Sequence, residues 1–191
     1  MTAYIIGNGT SRKNVDLKQL NGATYGCNAL YHDFTPDVLV ATDDPISRSI
    51  QSSGYAKRNK FYTRKVYAGS GANQLRSNYA NWSSGPNALQ LAVHDYHDDI
   101  TLLGFDFGST GIRLNNLYAG TEFYEKPCSR ASYYGNWPHQ VQTIMRMADR
   151  VEFTVVIGPE TCSIVDRFAS MDNVKIISIQ KFINNVMGTN I

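Results

Sequence analysis

The segment Gly7-Asn8-Gly9-Thr10-Ser11 contains the residue types that bind phosphate. Glycines at positions 7 and 9 let an anion approach the main chain, and the next two residues add hydroxyl donors. If a helix begins near Asn14, its free amides and its dipole favour an anion at the same point. The Gly-Lys-Ser/Thr of a Walker A loop is missing, and Arg12 stands where a dinucleotide fingerprint has its third glycine. The pattern indicates a nucleotide phosphate site, with a tight glycine turn as the alternative.

Two adjacent carboxylates, Asp43 and Asp44, follow the apolar run at 38–41. Such a pair could accept hydrogen bonds from a ribose or hold a metal ion. Alternatively, one of them caps a helix beginning at Pro45, and this interpretation is preferred for Asp44. Asp43 keeps both interpretations.

A second polar turn, Ser83-Ser84-Gly85, precedes Pro86 and a helical pattern. Its amides and hydroxyls could form a second anion cradle, although a serine cap followed by proline would explain the same residues. Asp106 lies in Gly-Phe-Asp-Phe-Gly after another strand pattern, at the rim where substrates bind in α/β proteins. A buried aspartate satisfied by loop amides is the competing explanation.

Histidine is the natural general base near neutral pH, and the chain has four. His139 begins the helix that follows an aromatic segment, where it is expected to face a substrate. A structural histidine at the start of a helix is the alternative. His94 and His97 end a predicted helix and are expected on the surface.

Seven short apolar runs predict the strands that position these residues. They are Ala3–Ile6, Thr24–Cys27, Val38–Ala41, Lys60–Tyr62, Ile100–Leu103, Phe153–Ile157 and Val174–Ile177. Helical patterns separate several of them, for example at 89–93 and 141–148. The alternation predicts an α/β fold over a single domain, 1–191, with a Rossmann-like open, mostly parallel sheet and helices on both faces.

One long segment, 108–137, has no convincing helix or strand but is rich in aromatic residues, among them Tyr118, Tyr124 and Trp137. Loops of this length inside a compact domain are usually lids or are disordered, and aromatic content argues against disorder. The segment is therefore predicted to be a lid over the ligand.

Composition narrows the classes of function. The formal net charge of +2, with basic residues scattered along the chain, makes a nucleic acid partner unlikely. The three cysteines form no CxxC pair, which argues against a disulfide framework and a zinc site. No signal peptide or membrane-spanning run is visible, so a cytoplasmic protein without a membrane partner is expected. A homo-oligomer is left open.

Taken in order, these motifs resemble the bacterial sialyltransferases that use CMP-sialic acid and the related Rossmann-like hydroxymethylpterin diphosphokinase-type proteins. The resemblance covers roughly residues 3–150. It rests on Gly-Asn-Gly-x-Ser, the Cys27-Asn28 pair after the second strand, the Ser-Ser-Gly turn and Gly-Phe-Asp-Phe.

The resemblance implies that Asn8 and Ser11 contact the nucleotide, that Asn28 helps hold its phosphate or ribose, and that Asp106 matches a family aspartate. It also implies that Ser83, Ser84 and Gly85 lie beside the cytidine and donor sugar, and that His139 acts as general base. The family's aromatic residue after Asp-Phe is replaced here by Gly108, so Tyr118 or Tyr124 would substitute from the lid.

The primary hypothesis is therefore a glycosyltransferase-like enzyme with a CMP-sugar-type donor. The Asp43-Asp44 pair looks closer to the diphosphokinase branch, which predicts an alternative Mg²⁺-dependent transferase with the ion between Asp43 and Asp106. A nucleotide-binding interaction protein without catalysis is the third hypothesis.

Overall fold

A parallel eight-stranded sheet forms the centre of the computed structural model, which describes residues 1–75, 81–108, 115–124 and 136–188. The strands are β1 Thr2–Ile6, β2 Ala23–Cys27, β3 Val38–Ala41, β4 Lys60–Thr63, β5 Asn73–Gln74, β6 Asp99–Leu103, β7 Glu152–Ile157 and β8 Val174–Ser178. Each strand pair is parallel, in the order β5-β4-β3-β2-β1-β6-β7-β8. The predicted α/β, Rossmann-like fold is confirmed.

The sheet reverses its direction of growth beside β1. Strands β2 to β5 extend it on one side, and the chain then crosses to β6, which pairs with the other side of β1. Ile6 lies level with Gly26 of β2 and with Leu103 of β6. Ligands of open α/β sheets bind beyond the carboxyl ends of the strands at such a switch point. The predicted motifs at 7–11 and 104–108 both start there.

Helices cover both faces of the sheet, as predicted. They are α1 Asp44–Ser52, α2 Tyr55–Arg58, α3 Ser84–His94, α4 Asn136–Met147 and α5 Ile179–Met187, with 3-10 turns at 10–12, 17–19, 28–32 and 163–168. The helices α3 and α4 pack with Ala3 and Ile5 of β1, whereas α1, α2 and α5 pack with Tyr4 and Ile6. Because successive residues of a strand point to opposite faces, β1 contributes to both cores.

The first connection does not meet the condition for a helix dipole at the glycine turn, because no helix begins near Asn14. The chain instead forms 3-10 turns at Thr10–Arg12 and Leu17–Gln19. Asp16 accepts a hydrogen bond from the amide of Lys18, and such local side-chain bonds compete with helix formation. A helix dipole therefore does not contribute to anion binding at the glycine turn.

Two smaller predictions are also wrong. Asp44 does not cap α1; it is the first residue of that helix and pairs with Arg48 at 2.8 Å. His97 is not on the surface but only 9% exposed, because its ring lies between the hydroxyl of Tyr25 and the carbonyl of Met1.

The aromatic lid lies only partly within the described residues. Residues 115–124 pack through Leu117, Tyr118, Phe123 and Tyr124 against the core that contains α1 and α5. Residues 109–114 and 125–135 lie outside the described part, so the lid stays a prediction. None of the helices described is long and apolar enough to cross a bilayer.

Candidate functional site at the switch point

A cavity of about 340 Å³ opens at the carboxyl ends of β1 and β6. Its volume falls in the range of small-molecule sites. Nine predicted site residues line it together: Gly7, Asn8, Gly9, Asn28, Asp43, Ser83, Ser84, Gly85 and Asp106. They come from separate segments of the chain, which the parallel sheet brings to one edge.

The glycines of the first turn are required by the packing of two loops. A Cβ at Gly7 would lie 2.5 Å from the carbonyl oxygen of Gly104, and one at Gly9 would lie 2.4 Å from Oδ2 of Asp106. Gly104 adopts a φ of 66°, and a Cβ there would lie 2.8 Å from the carbonyl oxygen of Gly7. The glycines therefore let the loops after β1 and β6 touch, which differs from the predicted reason for them.

Most amides of the turn donate to acceptors within the protein. Those of Gly7 and Gly9 donate to the carbonyls of Leu103 and Gly104 at 2.8 and 2.9 Å. The amide and hydroxyl of Thr10 donate to Oδ1 of Asn115 at 2.8 and 2.7 Å, and the Ser11 amide donates to Asp106. Thr10 and Ser11 do not line the cavity.

The carboxylate of Asp106 supports these loops. It is 4% exposed, and Oδ2 accepts from the Ser11 amide at 3.0 Å while Oδ1 accepts from the Thr161 hydroxyl at 3.1 Å. A buried carboxylate with both oxygens occupied ties these two loops to the segment after β7. Asp106 reaches the cavity, and these contacts also fit the alternative of an aspartate satisfied within the loops.

Asn28 is held in a fixed orientation at the end of β2. Its Oδ1 accepts a 2.8 Å hydrogen bond from the hydroxyl of Ser84, which in turn accepts from the amide of Thr42 at 2.9 Å. Because Oδ1 is occupied, the remaining side-chain donor is Nδ2, which also interacts with the hydroxyl of Tyr124 in the cavity wall. Asn28 has a φ of 52°, and Phe107, also in the cavity wall, has a φ of 54°. Left-handed conformations of non-glycine residues concentrate at functional sites.

The N-terminus of α3 supplies free donors to the cavity. The Ser83 amide donates to Oε1 of Gln140, and the Asn87 amide makes the first helical bond to the Ser83 carbonyl. Within the described residues the amides of Ser84 and Gly85 have no acceptor, and both residues line the cavity. The first amides of a helix favour an anion at this position.

Two tyrosines from the described part of the lid face the first turn. The hydroxyl of Tyr124 lies 3.5 Å from Nδ2 of Asn8, and burial raises the pKa of Tyr124 above its usual value. The hydroxyl of Tyr118 lies 3.4 Å from Arg12, and burial raises the pKa of Tyr118 to about 12. Tyr124 lines the cavity, whereas Tyr118 lies beneath it in the core.

His139 is not brought to the cavity. It is exposed on the first turns of α4, whereas Trp137, two residues earlier, lines the cavity mouth. Residues two apart on a helix point about 200° apart, which explains why only one of them faces the site.

Several lining residues were missed from the sequence. They are Cys27, Pro86, Gly104, Phe105, Phe107, Gly108, Asn115, Asn116 and Trp137, whereas Tyr124 was predicted to reach the site from the lid. Phe105 and Phe107 flank Asp106, so its position at a strand end could have identified them. Asn115 could not be found this way, because its contact with Thr10 spans 105 residues of chain.

Asp43 is an exposed carboxylate in the cavity wall. It occupies the cap position of α1, but its side chain makes no capping hydrogen bond. Within the described residues, no group of three or more His, Cys, Asp or Glu side chains could hold a metal ion.

Comparison of the chain with protein-family models, with curated proteins and with solved structures returned no match.

Proposed function

We propose that this cavity binds a nucleotide, and that the ligand is a CMP-sugar-type donor for a glycosyltransferase-like reaction. The observation that carries the proposal is the convergence of nine predicted residues in one cavity at the switch point of a parallel sheet. This is where open α/β sheets bind their ligands.

The groups around the cavity match the parts of a nucleotide. The amides of Ser84 and Gly85, which have no acceptor in the described part of the chain, suit a phosphate or carboxylate. Asn28 follows the strand beside β1, the position from which nucleotide-binding folds contact the ribose, and it offers Nδ2. The rings of Phe105 and Trp137 offer apolar surface for a base.

The transfer step is proposed from the resemblance of the sequence rather than from the position of a base. In that proposal, donors at the cavity and the lid tyrosine Tyr124 would stabilise the leaving phosphate, whereas Tyr118, the other predicted lid tyrosine, lies beneath the cavity and out of its reach. His139 remains the proposed base only if the acceptor reaches it outside the cavity. Equal rates of donor hydrolysis by the wild type and His139→Ala would remove His139 from the mechanism.

Ligand binding is tested by thermal shift with CMP, a CMP-sugar, a UDP-sugar, ATP and GTP, followed by titration calorimetry. We expect a selective rise in Tm with the cytidine ligands, because binding to the folded state adds stability by mass action. Asn28→Asp preserves the acceptor for Ser84 but replaces the Nδ2 donor with a negative charge, so CMP should bind about tenfold more weakly.

Asn14→Asp is the matched control, because the same change is made at an exposed residue outside the cavity. Its affinity for CMP should equal that of the wild type. Absence of any response to all five ligands would contradict the proposal and favour an interaction protein.

The Mg²⁺-dependent diphosphokinase is the second candidate. Asp43 lines the cavity, and its carboxylate makes no capping hydrogen bond to α1 that would occupy its oxygens. One or two carboxylates together with ligand phosphates are a common Mg²⁺ site. This candidate requires ATP binding that is lost in chelator, and undiminished turnover in chelator would rule it out.

A further inference from the structure

Arg12 is a buried cation just behind the glycine turn. Only 6% of the residue is exposed, and its Nε donates to the carbonyl of Gly7. One Nη lies 3.4 Å from the hydroxyl of Tyr118. None of the ion pairs among the described residues includes Arg12. The Tyr118 hydroxyl also interacts with the carboxylate of Asp33, so the nearest negative charge reaches Arg12 only through a tyrosine. Burying a guanidinium without a direct carboxylate partner costs free energy.

The amide of Asn8 differs from its neighbours in the turn. The amides of Gly7, Gly9, Thr10 and Ser11 all have acceptors within the protein. For the Asn8 amide there is no acceptor in the described part of the chain, although Asn8 itself is 9% exposed and lines the cavity. Its Oδ1 is likewise buried without a partner among those residues.

One peptide unit connects the guanidinium of Arg12 with the main-chain amide of Asn8. The carbonyl of Gly7 and the amide of Asn8 belong to the same trans peptide, in which C=O and N–H point in opposite directions. Because the carbonyl faces Arg12, the N–H points away from Arg12. A charged donor on the carbonyl polarises the peptide and makes its N–H a stronger donor.

The charge of Arg12 also reaches the cavity wall. Burial raises the pKa of the Cys27 thiol to about 12, and the positive charge of Arg12 opposes part of that rise. Cys27 lines the cavity. No Lys, Arg or His side chain from the described residues lines it, so Arg12 supplies positive potential from behind the wall.

We infer that Arg12 is a positioning residue that makes the main-chain amide of Asn8 an anion donor of this cavity, beside the amides of Ser84 and Gly85, and so favours a phosphorylated ligand over its uncharged nucleoside. The inference rests on the proposed nucleotide function. It assigns the selectivity for phosphate to a residue that does not itself contact the ligand.

The first test compares the affinities for CMP and cytidine by calorimetry. Wild type should prefer CMP, and Arg12→Met should lower that preference about tenfold, the effect of one charge-assisted hydrogen bond. Arg12→Lys keeps the charge and should retain most of the preference. Lys13→Met removes the same charge at an exposed neighbour and should bind both ligands like the wild type.

The second test uses the wild type alone and can overturn the inference even if Arg12→Met does not fold. Labelling with ¹³C-glycine and ¹⁵N-asparagine selects the amides of Asn8 and Asn136, since Gly-Asn occurs only at 7–8 and 135–136. The Asn8 amide resonance should shift with CMP and shift less with cytidine.

The outcomes separate this inference from the proposed function. If the wild type prefers CMP but Arg12→Met keeps that preference, or if the Asn8 amide is unmoved by CMP, the role of Arg12 is overturned and nucleotide binding stands. If the wild type binds neither ligand, the proposed function fails and the inference fails with it.

Discussion

The two ends of the sheet differ in whether their buried polar groups have hydrogen-bond partners within the protein. At the amino end, the hydroxyl of Tyr25 donates to Asp95 at 2.7 Å and lies 3.0 Å from Nε2 of His97, while Nδ1 of His97 lies 3.1 Å from the Met1 carbonyl. At the carboxyl end, the described cavity residues include Asn8, whose Oδ1 has no partner among the described residues, and Asn28 and Phe107, which have a positive φ. The amino end also has a residue with a positive φ, Tyr96, but that residue is 89% exposed and is not part of the buried cluster.

This difference separates a structural cluster from a candidate binding site. Buried polar groups that satisfy one another stabilise the fold and need no ligand. Unsatisfied donors and acceptors, together with strained backbone, cost stability, and in native proteins they concentrate where a ligand completes them. Substitutions at the two ends should accordingly affect stability and ligand binding in different proportions.

Gly9→Ala should have the largest effect on stability. Gly9 has a φ of −66°, which alanine adopts freely, but the new Cβ would lie 2.4 Å from Oδ2 of Asp106 and 2.7 Å from the carbonyl of Gly104. Overpacking of this severity should lower the free energy of unfolding by about 3 kcal/mol, measured by urea denaturation.

Gly69→Ala is the control for Gly9→Ala. Gly69 has a φ of 72°, and no described atom lies within 4 Å of the position that an added methyl group would take, so only the backbone cost of about 1 kcal/mol applies. If Gly9→Ala lost no more stability than Gly69→Ala, the close contact of the two loops would not constrain the cavity.

The features that the sequence predicts are those set by local patterns, and the features that it does not predict depend on contacts between residues far apart in the chain. The seven predicted strands all form. The central strands are recognisable because strands buried on both faces are mostly apolar, whereas β4 and β8 are partly exposed and carry Lys60 and Lys175. Asn73–Gln74 was missed, since a polar two-residue strand has no such pattern. The lining of the cavity could be predicted because the ends of parallel strands share one edge.

The state of individual polar groups could not be predicted in the same way. Which amides of the first turn stay free depends on Asp106 and Asn115, which are 95 and 105 residues from their partners in the turn. The burial of His97 likewise depends on Tyr25, 72 residues away. Such contacts follow from the packed fold and leave no local pattern.

Tyr25→Phe should reduce stability and leave binding intact. The change removes the hydroxyl that joins Asp95 and His97, at a cost of about 1.5 kcal/mol in the free energy of unfolding. Tyr25 does not line the cavity, so the affinity for CMP should equal that of the wild type. Tyr96→Phe, at a residue 89% exposed, is the matched control and should change stability by less than about 0.5 kcal/mol. Weakened CMP binding by Tyr25→Phe would show that the two ends are coupled.

Tyr55→Phe should have the smallest effect on the free energy of unfolding among these tests. It tests whether an unsatisfied buried polar atom is enough to indicate a binding site. The hydroxyl of Tyr55 is buried without a partner among the described residues, like Oδ1 of Asn8, but Tyr55 lies outside the cavity wall. Its removal should change the free energy of unfolding at pH 7 by less than about 1 kcal/mol and leave CMP affinity unchanged.

The pH dependence of Tyr55→Phe provides a second measurement. Burial raises the pKa of Tyr55 from 10.0 to about 12, so folding favours the protonated phenol. That contribution is complete below pH 10 and is lost as the pH rises towards 12. Wild type should therefore lose stability more steeply than Tyr55→Phe in urea titrations across this range. Parallel curves would contradict the burial of this hydroxyl, and weaker CMP binding by the variant would place Tyr55 with the cavity groups instead.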